Sequence, residues 1–152
     1  MRKSIESLDE QFANLHRQSC DLIEQLSPEQ LYQELPAPAD SCAEQVLRSA
    51  GIVEQAFGGL TANLWDDPFE WTLPETLSTP AKVIEYLNEV EATRRQAFQT
   101  IKEDQELSKE IMAPSGSTQL LPFLLDTLQR ARHHQQRALA AFGRLQPKST
   151  DH

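Results

Sequence analysis

Cysteine, aromatic residues and long apolar runs are all scarce in this chain of 152 residues. Cys20 and Cys42 are the only cysteines, and we expect reduced, partly buried thiols rather than a disulfide. No apolar run approaches the ~20 residues that span a bilayer. The opening residues MRKSIESLDEQ lack the apolar core of a secretory signal. These absences predict a cytoplasmic protein that makes no contact with a membrane.

Basic residues are also in short supply, with 14 lysines and arginines against 23 acidic residues and a net charge of −9. A protein that binds nucleic acid through its phosphates normally presents a basic face. Only Arg130, Arg132 and Arg137 cluster in this sequence, and arginines mixed with glutamine and histidine are typical of a solvated helix face. Binding to nucleic acid is therefore not expected.

Apolar residues recur at helical spacing almost everywhere, and no alternating strand pattern of useful length is present. The length predicts one domain over residues 1–146, followed by a frayed tail at 147–152. We predict an all-α protein, a four-helix bundle with long connections after the second and third helices. The helices are expected over Ser4–Leu26, from Ser41 to a fraying point at Gly58-Gly59, from Thr79-Pro80 to Ile101, and from Ser117 or Thr118 to Gln146-Pro147.

Local signals mark several helix ends. Ser27 and Ser41 each precede a glutamine or glutamate by three residues, a pattern that satisfies free backbone N–H groups at a helix start. The segment from Glu103 to Gly116 is expected to be a loop. In the fourth helix the predicted apolar stripe is Leu121, Leu124, Leu125, Leu128, Ala131, Gln135, Leu139 and Phe142. The connection 61–79 carries Trp65, Phe69 and Trp71, which either cover one end of the helices or contact a substrate.

The segment Asp126–Leu139, DTLQRARHHQQRAL, holds two of the four histidines. Adjacent helical residues point about 100° apart, so His133 and His134 are poorly placed to bind one ion together. The residue one turn before His134 is Arg130, which cannot be deprotonated to act as a ligand. We expect Arg130 either to pair with Asp126 at i, i+4 or to turn inward as a buried ion pair.

The order of these features resembles the DinB-like superfamily of bacterial four-helix bundles. The resemblance is carried by LSPEQL at 26–31, by PADSCAEQVLRSAGIVE at 38–54, and by 120–139 with its His-His pair. In that family a histidine on the second helix, followed five residues later by glutamate, joins two histidines one turn apart on the fourth. Together they usually bind nickel or zinc, and homodimers are usual.

Carried onto this chain, the three ligand positions fall on Ser49, Arg130 and His134, and the glutamate on Glu54. Two of the three expected histidines are absent, and imidazole or thiolate is what such a metal prefers. The leading hypothesis is therefore a degenerate metal site. Ser49, Glu54, Arg130 and His134 would form a polar pocket for a small polar or anionic ligand, with Arg130 as the anchor, or would serve only in packing.

Three alternatives remain open at this stage. In the first, Glu54 and His134 bind nickel or zinc together with His16 of the first helix. In the second, the chain is a transferase or hydrolase that uses metal or a thiol cofactor, as members of the resembled superfamily do, with Arg130 stabilising the thiolate. The third alternative is a helical interaction protein without any pocket. It requires that Ser49, Glu54, Arg130 and His134 do not converge. Cys42, near a helix start, is a minor candidate nucleophile.

Overall fold

Residues 2–36, 40–68 and 72–145 are described by a computed structural model. The helices are α1 (Lys3–Glu24), α2 (Pro28–Leu31), α3 (Cys42–Ala62), α4 (Pro80–Gln99) and α5 (Leu120–Phe142). A 3₁₀ helix (Asp104–Ser108) and two short strands, β1 (Glu110–Ala113) and β2 (Gly116–Gln119), lie between α4 and α5. The chain is thus mostly helical, as predicted. None of the helices in these ranges is long and apolar enough to cross a membrane.

The four long helices share one apolar core. α3 packs most extensively on α5, and both α1 and α3 pack on α4, whereas α1 touches α5 only lightly. At the centre lie three phenylalanine rings, Phe12 of α1, Phe57 of α3 and Phe98 of α4, whose centroids are 5.4–5.7 Å apart. Tilted and edge-to-face pairs of this kind add stability beyond the apolar area that they bury. The aromatic cluster therefore fixes how three helices meet.

The helix starts predicted at Ser27, Ser41 and Thr79-Pro80 are confirmed. The Ser27 side chain accepts from the backbone N–H of Gln30, and the Ser41 side chain from that of Glu44. In return, the side chains of Gln30 and Glu44 accept from the backbone N–H groups of Ser27 and Ser41. Thr79 caps α4 in a simpler way, by accepting from the backbone N–H of Lys82. In each case the partner lies three residues away, so the interaction is available before any tertiary structure forms.

The predicted loop from Glu103 to Gly116 is wrong. The segment forms the 3₁₀ helix and then an antiparallel hairpin in which Ala113 pairs with Gly116. Gly116 has a φ of 121°, which an L side chain rarely adopts, and this lets the chain reverse over Pro114 and Ser115. Because residues 116–119 are taken by β2, α5 begins at Leu120 rather than at Ser117 or Thr118.

Two further predicted boundaries are corrected. α3 does not fray at Gly58-Gly59 but continues to Ala62, where Asn63 adopts the left-handed conformation and ends the helix. Gly59 instead leaves room for the indole of Trp65, which lies where a Cβ at this position would be. α5 ends at Phe142, with Gly143 as its C-cap. The predicted end at Gln146-Pro147 and the tail 147–152 lie outside the described residues.

The buried face of α5 agrees with the predicted stripe at Leu124, Leu128, Ala131 and Gln135 but differs elsewhere. Leu125 and Leu139 are 47% and 50% exposed, whereas Thr127, Ala138 and Ala141 are buried. Ala131 and Ala138 lie against α3, since their carbonyls accept from Ser49 and Cys42, and small side chains there allow the two helix backbones to approach closely. The prediction followed the largest apolar residues and so missed the small buried ones.

A buried arginine is the largest feature of the core that the spacing of apolar residues did not predict. Arg94 of α4 is 0% exposed. Its Nε and Nη2 donate to the two carboxylate oxygens of Glu91 at 2.7 and 2.9 Å, and its Nη1 donates to Asp9 of α1 at 2.6 Å. Its guanidinium lies 5.1 Å from the ring centroid of Phe98 and 5.7 Å from that of Phe12. The charge is thus paired, hydrogen-bonded and stacked.

Replacing Arg94 by methionine is expected to destabilise the fold by about 3–5 kcal/mol, because the nearly buried Glu91 carboxylate then loses its partner. Denaturant unfolding measures the change. Adding Glu91→Leu to Arg94→Met should recover much of the loss, since a buried pair can be replaced by apolar residues. Arg95→Met, at an exposed neighbour on α4, is the matched control. Equal effects of Arg94→Met and Arg95→Met would contradict this account.

Candidate functional site

A polar pocket of about 160 Å³ opens between α3 and α5. Arg130 and His134, one turn apart on α5, form one wall. The opposite wall is a single ridge of α3, and Asp67 of the connection after α3 completes the lining. The α3 residues are Arg48, Gly51, Ile52 and Gln55. Two arginines and a histidine thus approach one space from two helices.

Each arginine is held by an aspartate at the edge of this pocket. Arg130 Nε donates to Asp126 at 3.0 Å, and both side chains are about half exposed. The predicted i, i+4 pair is therefore confirmed, and Arg130 is not turned inward. Arg48 Nε donates to Asp40 at 3.2 Å. Exposed pairs of this kind contribute little to stability, but they fix the position of the guanidinium groups.

His134 is oriented by a chain of hydrogen bonds. Its Nδ1 lies 2.8 Å from Oε1 of Gln45, and Nε2 of Gln45 donates to Asp40 at 3.0 Å. Because Gln45 presents its oxygen, Nδ1 of His134 is assigned the proton, and Nε2 is then the acceptor in the neutral ring. Burial, with His133, Arg48 and Arg137, lowers the pKa of His134 below its ordinary value, against the opposing effect of Asp40.

The four residues predicted to form a site do not line a common pocket. Arg130 and His134 lie together, but Ser49 is buried and its Oγ donates to the backbone carbonyl of Ala131 at 2.7 Å. Glu54 lines a different pocket, between α3 and α4. On α3 the residue that faces Arg130 and His134 is Arg48, one position before Ser49. One residue is about 100° of helix rotation, so Ser49 points into the core whereas Arg48 lines the pocket.

The residues in this pocket do not suit nickel or zinc. Arg48 and Arg130 are permanent cations, and a unit charge opposes another at about 4 Å by roughly 4 kcal/mol at an effective dielectric near 20. Among the described residues of the lining, His134 is the only imidazole. Within residues 2–36, 40–68 and 72–145, no three side chains of histidine, cysteine, aspartate or glutamate lie close enough to hold a metal ion. Arg48, Arg130 and His134 outnumber Asp67, the one carboxylate among the described residues of the lining, so the lining favours an anion instead.

The two other histidines in the described part of the chain, His133 and His16, point elsewhere. His133 lines a groove between α1 and α5, and its ring is edge-on to that of His134 with the centroids 5.5 Å apart. His16 lies beside the buried Arg94 and Glu91, and its Nε2 is 3.6 Å from the sulfur of Cys20. Burial lowers the pKa of His16, despite the opposing effect of Glu91. His16 therefore does not join Glu54 and His134 in a shared site.

Neither cysteine is activated as a nucleophile. Burial raises the pKa of Cys42 to about 12, and its Sγ donates to the carbonyl of Ala138 at 3.4 Å. Burial, followed by the nearby carboxylates of Glu24, Asp21 and Glu91, raises the pKa of Cys20 to about 11. Both are free thiols. At neutral pH both remain protonated, and the thiolate is the reactive form.

Trp65 is the one aromatic residue of the long connection that lies in the described ranges. Its ring packs edge-to-face on Phe123 of α5, with the centroids 5.8 Å apart. Its carbonyl accepts from Nε2 of Gln55 at 2.7 Å. Trp65 thus ties the connection to both α3 and α5, as a residue that covers the helices. Phe69 and Trp71 lie outside the described residues.

Comparison with known proteins finds no matching family model, no similar curated protein and no similar solved structure.

The titration of His134 tests the electrostatics of the pocket. Arg48→Gln removes one of the cations that lower the pKa of His134, so this pKa should rise. Asp40→Asn removes the carboxylate that opposes those cations, so the pKa should fall. Proton NMR of the imidazole resonances measures both changes. Shifts in the same direction in the two variants would contradict the arrangement.

Proposed function

We propose that this chain is a DinB-like four-helix bundle that has lost the family metal and binds a small anion between α3 and α5. Four long helices around one apolar core, with Arg130 and His134 one turn apart on the last of them, support the family proposal. Homodimerisation, which the resemblance implies, remains a prediction. So does the alternative of a transferase or hydrolase that uses metal or a thiol cofactor.

The observation that carries the anion proposal is the convergence of Arg48 and Arg130 on one pocket from two helices. Guanidinium groups match the geometry of carboxylate and phosphate oxygens. The hydrogen bond recorded for Arg130 uses Nε, so its Nη groups have no partner among the described residues. They are therefore available to a ligand.

The size and polarity of the pocket define the kind of anion. About 160 Å³ is below the range of ~300–1,000 Å³ typical of sites for drug-sized ligands. A phosphate or a short carboxylate is therefore a better match than a nucleotide. His134 adds a donor or an acceptor at Nε2, according to its protonation. Binding of the anion should stabilise the protonated ring and raise the pKa of His134.

Titration with inorganic phosphate tests this proposal. Isothermal calorimetry should detect one saturable site per chain. Arg130→Gln and Arg48→Gln should each weaken binding by about tenfold to a hundredfold, the range for a lost hydrogen bond to a charged group. Arg144→Gln, at an exposed position after α5, changes the net charge equally and is the control.

Two results would overturn the anion site. One is the absence of saturable phosphate binding in the folded protein. The other is an equal loss of affinity in Arg144→Gln, since that would indicate attraction to overall charge rather than to this pocket.

A further inference from the structure

His134 reaches the pocket between α3 and α5 at the end of a chain of two hydrogen bonds. Nε2 of Gln45 donates to Asp40 at 3.0 Å, and Oε1 of Gln45 lies 2.8 Å from Nδ1 of His134. Gln45 is only 3% exposed, so water does not replace either partner. The chain therefore connects a carboxylate that does not line the pocket to an imidazole that does.

The direction of these hydrogen bonds is fixed at Asp40. Asp40 is paired with Arg48, and an ionised carboxylate can only accept. The amide of Gln45 must therefore turn its NH2 group towards Asp40 and its oxygen towards His134. Because an amide oxygen also only accepts, Nδ1 of His134 carries the hydrogen, and Nε2 of the neutral ring has a lone pair.

The ring of His134 is neutral at neutral pH when the pocket holds no ligand. Burial lowers its pKa, and the positive charges of His133, Arg48 and Arg137 act in the same direction, against Asp40. An unperturbed histidine already titrates near 6.5, so a ring with a lowered pKa is uncharged at neutral pH. The hydrogen bond to Gln45 then decides which of the two neutral tautomers is present.

Nε2 is the atom that His134 offers to a ligand. It makes no hydrogen bond within the described ranges. It is also accessible, since the Tyr86 hydroxyl is the one buried side-chain nitrogen or oxygen in those ranges that has no partner. Arg48 and Arg130 in the same lining only donate, whereas the carboxylate of Asp67 only accepts. A ligand in this pocket thus meets donors on the guanidinium groups and an acceptor on the imidazole.

We infer that the pocket between α3 and α5 selects oxyanions that retain an O–H group, such as hydrogen phosphate, over oxyanions that have none, such as sulfate. The inference rests on the anion site proposed above and names the class of anion that it takes. The unprotonated oxygens would accept from Arg48 and Arg130, and the O–H group would donate to Nε2 of His134.

Sulfate is the matched competitor because it has the tetrahedral shape and the charge of hydrogen phosphate but no hydrogen. One of its oxygens would face the lone pair of Nε2, and that pair of atoms contains no donor. Sites that hydrogen-bond a hydroxyl group of their ligand discriminate strongly against analogues that lack it, because a polar group of the protein is left without a partner.

Calorimetry with sodium phosphate and sodium sulfate, at neutral pH and equal ionic strength, tests the selectivity. Phosphate should bind at least about tenfold more tightly than sulfate, the factor expected for one hydrogen bond to a charged group. Arg130→Gln should weaken both anions by a similar factor, since its donors serve either one. Nitrogen NMR of the ligand-free protein should find the hydrogen of the His134 ring on Nδ1.

Variants of the hydrogen-bonded chain separate selectivity from affinity. Gln45→Leu removes the oxygen that holds the tautomer, so Nε2 can carry the hydrogen and the ratio of the two Kd values should fall towards one. Asp40→Asn, at a position near the surface, is a milder change with the same expected direction, because an asparagine amide can donate as well as accept. Gln136→Leu, at an exposed position of α5 outside this pocket, is the control and should leave the ratio unchanged.

The outcomes distinguish this inference from the proposed function on which it rests. If neither anion shows saturable binding, the anion site itself is overturned, and the selectivity with it. If phosphate binds but sulfate binds equally well, or if the ring hydrogen lies on Nε2, the selectivity alone is overturned. An unchanged ratio in both Gln45→Leu and Asp40→Asn would likewise contradict the role of the hydrogen-bonded chain.

Discussion

The ion pairs of Arg94 hold α1 against α4, and the position of α3 depends on that arrangement. A guanidinium that is fully buried must have its charge matched, because removing it from water costs several kcal/mol. Glu91 satisfies it from the same helix, and Asp9 from α1. Burial alone would lower the pKa of Arg94, but the hydrogen bonds that it donates to Glu91 and Asp9 raise this pKa above its ordinary value. The phenylalanine cluster beneath it then sets the position of α3.

Sequence alone predicted those interactions whose two residues lie close together in the chain. The caps at Ser27, Ser41 and Thr79 are three-residue interactions, and the Asp126–Arg130 pair is one helical turn. The start of α1 is different, since the N–H groups of Ser4 and Ile5 donate to Asp104, about 100 residues away. No local pattern contains that bond. The sequence indicates the buried Arg94 only weakly. The apolar series Val83, Leu87, Val90, Ala97 and Ile101 skips position 94, where helical spacing predicts another buried side chain.

The candidate site was predicted only in part, because a shift of one residue along a helix turns a side chain by about 100°. Arg130 and His134 share a face because they are one turn apart, which sequence spacing establishes. Ser49 was assigned from the resemblance, and a shift of one residue moves a side chain from the pocket into the core. The outcome is an α3 whose Arg48 faces one pocket and whose Glu54 faces another.

Elemental analysis tests most directly whether the pocket between α3 and α5 has lost the metal of the family it resembles. The protein should carry no affinity tag and should be purified without added metal or chelator. The arginines in the lining predict neither nickel nor zinc at a stoichiometric level. One equivalent of either metal per chain, lost when His134 is replaced by alanine, would contradict the account.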